Sequence, residues 1–192
     1  MRPILLVLAV ALSSQPSWAD SYRGYDEVPH SVEAATGVIE IRSYPPRTVA
    51  EVTVRGTRNA AAQRGFGELF AYITGGNVAK DKIAMTVPVA QTETDHGWTI
   101  RFFMPEGTTR ESLPAPDSSY VRLRRLPAER MLVTRFAGRA TAARLAEAET
   151  ALRAHAAANG LAISGAPRLM FYDDPFTLPW NRRNEVGLVL AR

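Results

Sequence analysis

The chain has 192 residues, a formal net charge of +4 and no cysteine. Without cysteine, disulfides, thiolate metal sites and a lipid-modified cysteine anchor are excluded. The sequence pI is about 9.8, but the arginines are scattered along the chain instead of forming a stripe beside stacking aromatic residues. We therefore expect no nucleic-acid partner.

Residues 1–19 (MRPILLVLAVALSSQPSWA) have the pattern of a secretory signal peptide. Arg2 supplies the positive start, and the apolar run Ile4–Leu12 is too short to cross a bilayer of about 30 Å as a helix. Small residues at positions 17 and 19 predict cleavage before Asp20. An uncleaved anchor or a buried strand is the alternative. We expect a soluble protein that is periplasmic or secreted, with residues 20–192 as a single domain.

An internal repeat divides the chain. Residues 42–56 align with residues 124–138 at a constant offset of 82, so that an Arg, a Pro and a Gly coincide. The half-repeats are predicted at about 38–105 and 120–190. Residues 105–119, rich in Pro, Ser and charged residues, link them.

The sequence pattern of the first half predicts a strand, a Pro-Pro turn, a second strand, a helix and two more strands. The helix is expected over Asn59–Ile73, because Ala62, Phe66, Leu69, Phe70 and Ile73 recur at the spacing of one apolar face. Gly65 and Gly67 weaken this helix, so tertiary packing must hold it. The strands are predicted at 39–43, 47–55, 83–90 and 98–104.

The second half repeats the order. Strands are predicted at 120–125, 130–136, 167–172 and 185–190. A helix is predicted from Thr141, its N-cap, to Asn159, with Gly160 ending it. The fold class is α+β, a pseudo-twofold repeat in which two helices pack on a twisted, largely antiparallel sheet or distorted barrel.

Six short segments carry a family resemblance. Lys82–Val89 (KIAMTVPV) resembles the KIxMTxPV segment of the SOUL haem-binding family. The others, in chain order, are similar to that family's opening strand, first helix, strand end and terminal signatures: 39–44, 66–76, 103–105, 172–176 and 182–186. The resemblance covers roughly Val38–Leu190. It implies a distorted barrel of two βαβ-type halves that binds haem or other tetrapyrroles.

A tetrapyrrole needs an apolar groove with cations at its rim for the propionates. The residues predicted to bind the ligand are Arg64, Phe66, Phe70, Ile73, Met85, Val87, Met170 and Tyr172. Arg58, Lys80 and Lys82 are further candidate propionate partners. The alternative for each apolar residue is a place in the ordinary core, and for each cation a place on the solvated surface.

The chain differs from the family at the positions that would bind the haem iron and its propionates. Some family members have a His before the tyrosine of the opening strand, where this chain has Ser43. His30, His96 and His155 occupy no matched ligand position, and Tyr44 and Met85 are weak candidates for axial ligands. On the first helix, the positions matching the family's basic residues carry Gln63 and Ala71. We therefore expect haem as a cofactor without histidine ligation, and no metal site.

Two other functions stay open. The first is a binder of another hydrophobic or cationic small molecule. The second is a hydrolase-like enzyme that uses Glu185 with Tyr172, although no G-x-S-x-G or HExxH motif is present and no catalytic residue is predicted. Glu185, flanked by Arg182, Arg183 and Asn184, is alternatively part of an ion-pair network that closes the fold.

Overall fold

The computed structural model describes residues 21–191, which form two sheets and two long helices. The strands are β1 (Ser21–Tyr22), β2 (Tyr25–Glu27), β3 (Ser31–Thr36), β4 (Ile39–Tyr44), β5 (Arg47–Val54), β6 (Thr86–Val87), β7 (Val89–Thr94), β8 (Gly97–Phe103), β9 (Arg122–Leu126), β10 (Glu129–Ala137), β11 (Ile163–Phe171) and β12 (Arg183–Leu190). The helices are α1 (Arg58–Ile73) and α2 (Ala142–Ala158), and a 3₁₀ helix, Pro179–Asn181, precedes β12. The predicted signal peptide lies outside the described residues.

The larger sheet has the strand order β3-β4-β10-β12-β11-β7-β8-β5-β9. Apart from β3, this order is symmetric about the β11–β7 pair, with β10, β12 and β11 corresponding to β5, β8 and β7. The first strand of each half pairs with the second strand of the other, as β4 with β10 and β9 with β5. The predicted α+β fold with a pseudo-twofold repeat is confirmed. Within residues 21–191, β3 and β9 remain separate edges, so the sheet is not closed.

The larger sheet has two faces, because successive side chains of a strand point in opposite directions. On the helix face, Ile100 and Phe102 of β8 pack beneath α1, and Leu188 of β12 packs beneath α2. On the other, inner face, Phe103 and Met170 join a separate buried cluster. Helix-face residues therefore cannot share a surface with inner-face residues.

Helix α1 is capped by threonines and buries a different face from the predicted one. Thr57 accepts a hydrogen bond from the Ala60 N–H at 3.4 Å, so the helix starts one residue earlier than expected. Its buried residues are Ala61, Gly65, Leu69, Tyr72 and Ile73. The predicted apolar face is therefore buried only in part, because Phe66 and Phe70 are 40 % and 45 % exposed, and the alternative of an ordinary core position does not hold for these two residues. Gly65 allows the helix axis to approach Ile100 so closely that the phenylalanines lie on the flank.

The predicted strand over 83–90 is interrupted in the structure. Ile83 donates its N–H to the Ile73 carbonyl at 2.8 Å, so the chain here follows the end of α1 and pairs with no strand. Strand pairing begins at Thr86, where β6 runs parallel to β2. Pro88 separates β6 from β7, because proline has no N–H to donate to a ladder.

Helix α2 follows the prediction closely. Thr141 is its N-cap and accepts from the Arg144 N–H at 3.3 Å. Gly160 follows the helix with a positive φ of 63°, a conformation that glycine adopts without steric cost. No helix within residues 21–191 is long and apolar enough to cross a membrane.

Candidate functional site

Two phenylalanines stack on the exposed flank of α1. The ring centroids of Phe66 and Phe70 are 5.8 Å apart with an interplanar angle of 12°. Phe66 also contacts the edge of Phe102 at 5.2 Å and 68°, which fixes the pair against the sheet. The result is a small, flat apolar surface that faces solvent.

Arg58 begins the same helix, about two turns before Phe66. At 100° per residue it lies about 80° from Phe66 around the helix. Its guanidinium donates to Gln91 Oε1 at 3.2 Å and to the Ala140 carbonyl at 3.4 Å, and lies 5.7 Å from the Phe171 ring centre. Burial lowers the pKa of Arg58. No carboxylate within residues 21–191 forms an ion pair with it, so it can receive an anionic group.

The other predicted cations lie elsewhere. Arg64 is about 160° from Phe66 around the helix and stacks 5.3 Å from the centre of the Tyr120 ring. Lys80 pairs with Asp117 at 2.6 Å. Lys82 is exposed, directly before the segment that follows the end of α1. Arg58 is therefore the predicted propionate partner that shares a flank with the phenylalanines.

The remaining predicted ligand residues fall into two separate places. Ile73, the last residue of α1, is buried between the helix and the sheet, and the partly buried Met85 packs against the same cluster. Val87, Met170 and Tyr172 are buried together in the cluster on the inner face. The eight predicted residues thus do not form one surface. The structure brings together Phe66 and Phe70, and separates them from Arg64 and from the inner-face residues.

Glu185 is fully buried in an ion-pair network on the inner face. Arg42 donates to its two oxygens at 2.9 and 3.1 Å, Arg183 Nε donates at 3.0 Å and the Tyr172 hydroxyl donates at 2.7 Å. Burial alone would raise the pKa of Glu185, but the charges of Arg42 and Arg183 and the hydrogen bonds from Arg42 and Tyr172 together outweigh it, so the pKa lies below its usual value. Both oxygens are occupied by donors, so the carboxylate serves the ion-pair network foreseen as the alternative to a functional role.

The N-terminal strap, residues 21–30, covers this network, and sequence reasoning missed it. Glu27 accepts from both terminal nitrogens of Arg183 at 2.8 and 2.7 Å. Tyr22 meets the Tyr172 ring edge-on with 5.7 Å between ring centres. The Val28 N–H donates to the Val87 carbonyl at 3.0 Å. Gly24, at the turn between β1 and β2, was the one local sign of this structure in the sequence.

A second buried cluster on the inner face holds two arginines and one carboxylate. Glu129 pairs with both Arg47 and Arg168. Arg47 and Glu129 occupy equivalent positions in the two halves, 82 residues apart, so this pair joins the repeats across the pseudo-twofold axis. The Arg47 guanidinium also stacks between Tyr44 and Phe103, at 4.7 and 5.3 Å from the ring centres.

The histidines lie away from the aromatic pair on α1. His30 contacts the Val28 carbonyl at 3.0 Å and the Tyr44 ring. His96 is in the turn between β7 and β8, and His155 is on α2. In the described part of the chain, no three His, Cys, Asp or Glu side chains are grouped to hold a metal ion. The flat apolar pair and Arg58 fit the edge of a tetrapyrrole and one propionate, and they offer no imidazole to iron.

Comparison with solved structures shows where this fold recurs. The C-terminal domain of EcmrR superposes with a TM-score of 0.59 at 10% identity, over 80% of this chain and 97% of that one. A hydrolase from Listeria innocua superposes at 0.61 and 15% identity, over 83% and 94%. An uncharacterized conserved protein from Listeria innocua superposes at 0.57 and 16% identity, over 80% and 92%. At these identities the likeness shows the fold alone.

Sequence comparison identifies the family. No curated protein sequence matches the chain. The family model described as SOUL heme-binding protein matches residues 25–189, which is nearly all of the part that the structure describes. The six segments that resemble this family lie within the matched region. The chain therefore belongs to the SOUL haem-binding protein family.

Proposed function

We propose that the chain binds haem or another tetrapyrrole on the exposed flank of α1, without a histidine ligand to the iron. The observation that carries the proposal is the solvent-facing stack of Phe66 and Phe70 on α1, the helix that begins with Arg58. Membership of the SOUL haem-binding family supports the ligand class. The α1 surface, as we call these three residues, supplies a flat apolar contact and one cation that pairs with no carboxylate in the described part of the chain.

The energy available at the α1 surface is modest. A phenylalanine side chain buries about 150–250 Å², so covering the exposed parts of two rings removes on the order of 150 Å² from water. At about 25 cal/mol per Å² this contributes about 4 kcal/mol, before the cost of association. A propionate paired with Arg58 adds a charge-assisted hydrogen bond and orients the macrocycle. Because the iron receives no imidazole, iron-free protoporphyrin is expected to bind about as well as hemin.

We also propose that the protein acts beyond the inner membrane, in the periplasm or outside the cell. The signal-peptide pattern of residues 1–19 supports this. Expression in an exporting bacterial host, followed by intact-mass measurement of the periplasmic fraction, is expected to give a chain that begins at Asp20. The sequence-based expectation of no nucleic-acid partner stays a prediction.

The test is a hemin titration of the purified chain, followed by absorbance in the Soret region. A saturable shift at one equivalent is expected. Phe70→Ala should weaken the affinity about tenfold, equal to about 1.4 kcal/mol, and Arg58→Gln should weaken it by several-fold. Arg64→Gln is the matched control, because Arg64 is on the other flank of the same helix, and it should leave the affinity unchanged.

Three results would remove the proposal. One is the lack of a saturable site. Another is an unchanged affinity in Phe70→Ala. The third is a stronger loss in Arg64→Gln than in Arg58→Gln, which would place the ligand on the flank that faces Tyr120. A flat Soret response together with binding of other flat apolar dyes that Phe70→Ala weakens would favour a different hydrophobic small molecule at the same surface.

A further inference from the structure

A cavity of about 560 Å³ opens beside Arg47, and we call it the Arg47 cavity. Its volume is within the range of small-molecule sites in proteins. Its walls come from the N-terminal strap, the Pro-Pro turn, the start of β5, the end of β8 and the loop that follows it. Nothing in the tetrapyrrole proposal uses this cavity, because Arg47 belongs to the inner face of the sheet and α1 packs on the other.

The buried charges next to this cavity do not balance. Arg47 and Arg168 share one carboxylate, Glu129, so the cluster carries an excess positive charge. The neighbouring network differs, since Arg42 and Arg183 meet Glu185, Glu27 and Glu40. A buried charge without a full counter-charge is costly, and a ligand of opposite charge lowers that cost.

Arg47 keeps unused donors although its side chain is only 8% exposed. A guanidinium has five N–H donors. Arg42 and Arg183 each donate in four hydrogen bonds, whereas Arg47 donates in two, to the Pro45 carbonyl at 3.3 Å and to Glu129. Among the described residues its Nε has no partner. Burial, and then the charge of Arg168, lower the pKa of Arg47 against the opposing charge of Glu129.

The other walls define the rest of the ligand. Phe103 and Met104 are buried apolar residues, and three prolines of the strap and turn, Pro29, Pro45 and Pro46, extend this apolar lining. Glu27 also lines the cavity, but its carboxylate is neutralised by Arg183. Asp26 and Glu106 are exposed at the surface, as is Arg125, so the uncompensated charge at depth is that of Arg47.

We propose that the Arg47 cavity binds a small organic carboxylate, whose carboxylate group pairs with Arg47 and whose apolar body packs against Phe103 and Met104. The two unused donors of the terminal nitrogens match a carboxylate, which guanidinium groups bind in planar geometry. The apolar walls exclude a preference for inorganic anions such as phosphate, which would leave them in contact with water. The site is separate from the α1 surface, so the protein has two independent ligands.

Isothermal titration with benzoate tests this, with benzamide as the uncharged probe of the same shape. Benzoate should bind saturably at one equivalent, and benzamide at least tenfold more weakly. Arg47→Met should weaken benzoate binding at least tenfold. This variant is expected to fold, because Arg168 and Glu129 remain as a balanced pair. Arg122→Gln, a change on β9 outside the cavity walls, is the control and should leave benzoate binding unchanged.

Arg125→Gln provides a second probe if Arg47→Met does not fold. The charge of this exposed wall residue should attract benzoate at long range. Its loss should therefore weaken benzoate binding two- to threefold and reduce the dependence of the affinity on salt. No benzoate binding, equal binding of benzamide, or wild-type affinity in Arg47→Met would overturn the proposal. Hemin binding by Arg47→Met should equal that of the wild type, which separates failure here from failure of the tetrapyrrole proposal.

Discussion

Replacement of Glu185 by glutamine tests the central ion-pair network. The carboxylate accepts five hydrogen bonds, from Arg42, Arg183 and Tyr172. Glutamine replaces one oxygen by an NH₂ group that points its hydrogens at these donors. It also removes the charge that balances Arg42, whose side chain is almost fully buried.

The size of the stability loss depends on which carboxylates still pair with each arginine in the variant. Breaking a buried pair by removing one partner costs about 3–5 kcal/mol. Arg183 retains Glu27, and Arg42 retains Glu40 at 2.6 Å. We therefore expect the lower end, a loss of about 3 kcal/mol in the free energy of unfolding, or a fall in Tm of about 6–12 °C for a chain of this size.

Urea denaturation followed by tryptophan fluorescence measures this loss. Glu149→Gln is the control, because Glu149 forms an exposed pair with Arg153 one helical turn away and its removal should cost at most about 0.5 kcal/mol. The double variant Glu185→Gln/Arg42→Met should lose less than the sum of the single variants. A loss below about 1 kcal/mol would refute the reasoning. A selective loss of hemin affinity would contradict the placement of the ligand on the opposite face of the sheet.

Two further predictions concern pH and packing. The pKa of Glu185 in the fold is below its ordinary value of 4.5. Its contribution to stability is therefore present above about pH 4.5 and is lost as the pH falls through the folded pKa. The free energy of unfolding of Glu185→Gln should fall less steeply in acid than that of the wild type, and equal slopes against pH would contradict this. Gly67→Ala should raise the free energy of unfolding by about 1 kcal/mol, because it improves helix propensity and a Cβ there meets nothing within 4 Å. Gly65→Ala should lower it by about 1–2 kcal/mol, because its Cβ would lie 2.6 Å from Ile100 Cγ1; equal effects in thermal unfolding would refute the account of α1 packing.

Local patterns in the sequence were sufficient for most of the secondary structure. Alternating apolar residues predicted β5 and β10, and Thr141 with Gly160 predicted both ends of α2. The repeat predicted the pseudo-twofold order of elements, because two segments with the same pattern of apolar residues bury the same faces of their strands and helices. These features depend on neighbours along the chain, which the sequence displays directly.

The site depends on contacts that the sequence does not display. Apolar spacing alone placed Phe66, Phe70, Leu69 and Ile73 on one face, whereas the approach of Gly65 to Ile100 decides which of them are buried. Arg42 and Glu185 meet although 143 residues separate them. The position of Arg64 could have been predicted from the sequence, because a rotation of 100° per residue places it far from Phe66 around the helix.

The exchange of strands between the two halves bears on how the chain is made. During synthesis β5 leaves the ribosome long before β9, its neighbour at the edge of the sheet, and β4 waits in the same way for β10. Until then both strands present unpaired backbone groups that another chain can occupy. A fragment that ends in the 105–119 linker should therefore aggregate instead of folding as half a protein, and refolding yield of the whole chain should fall as its concentration rises.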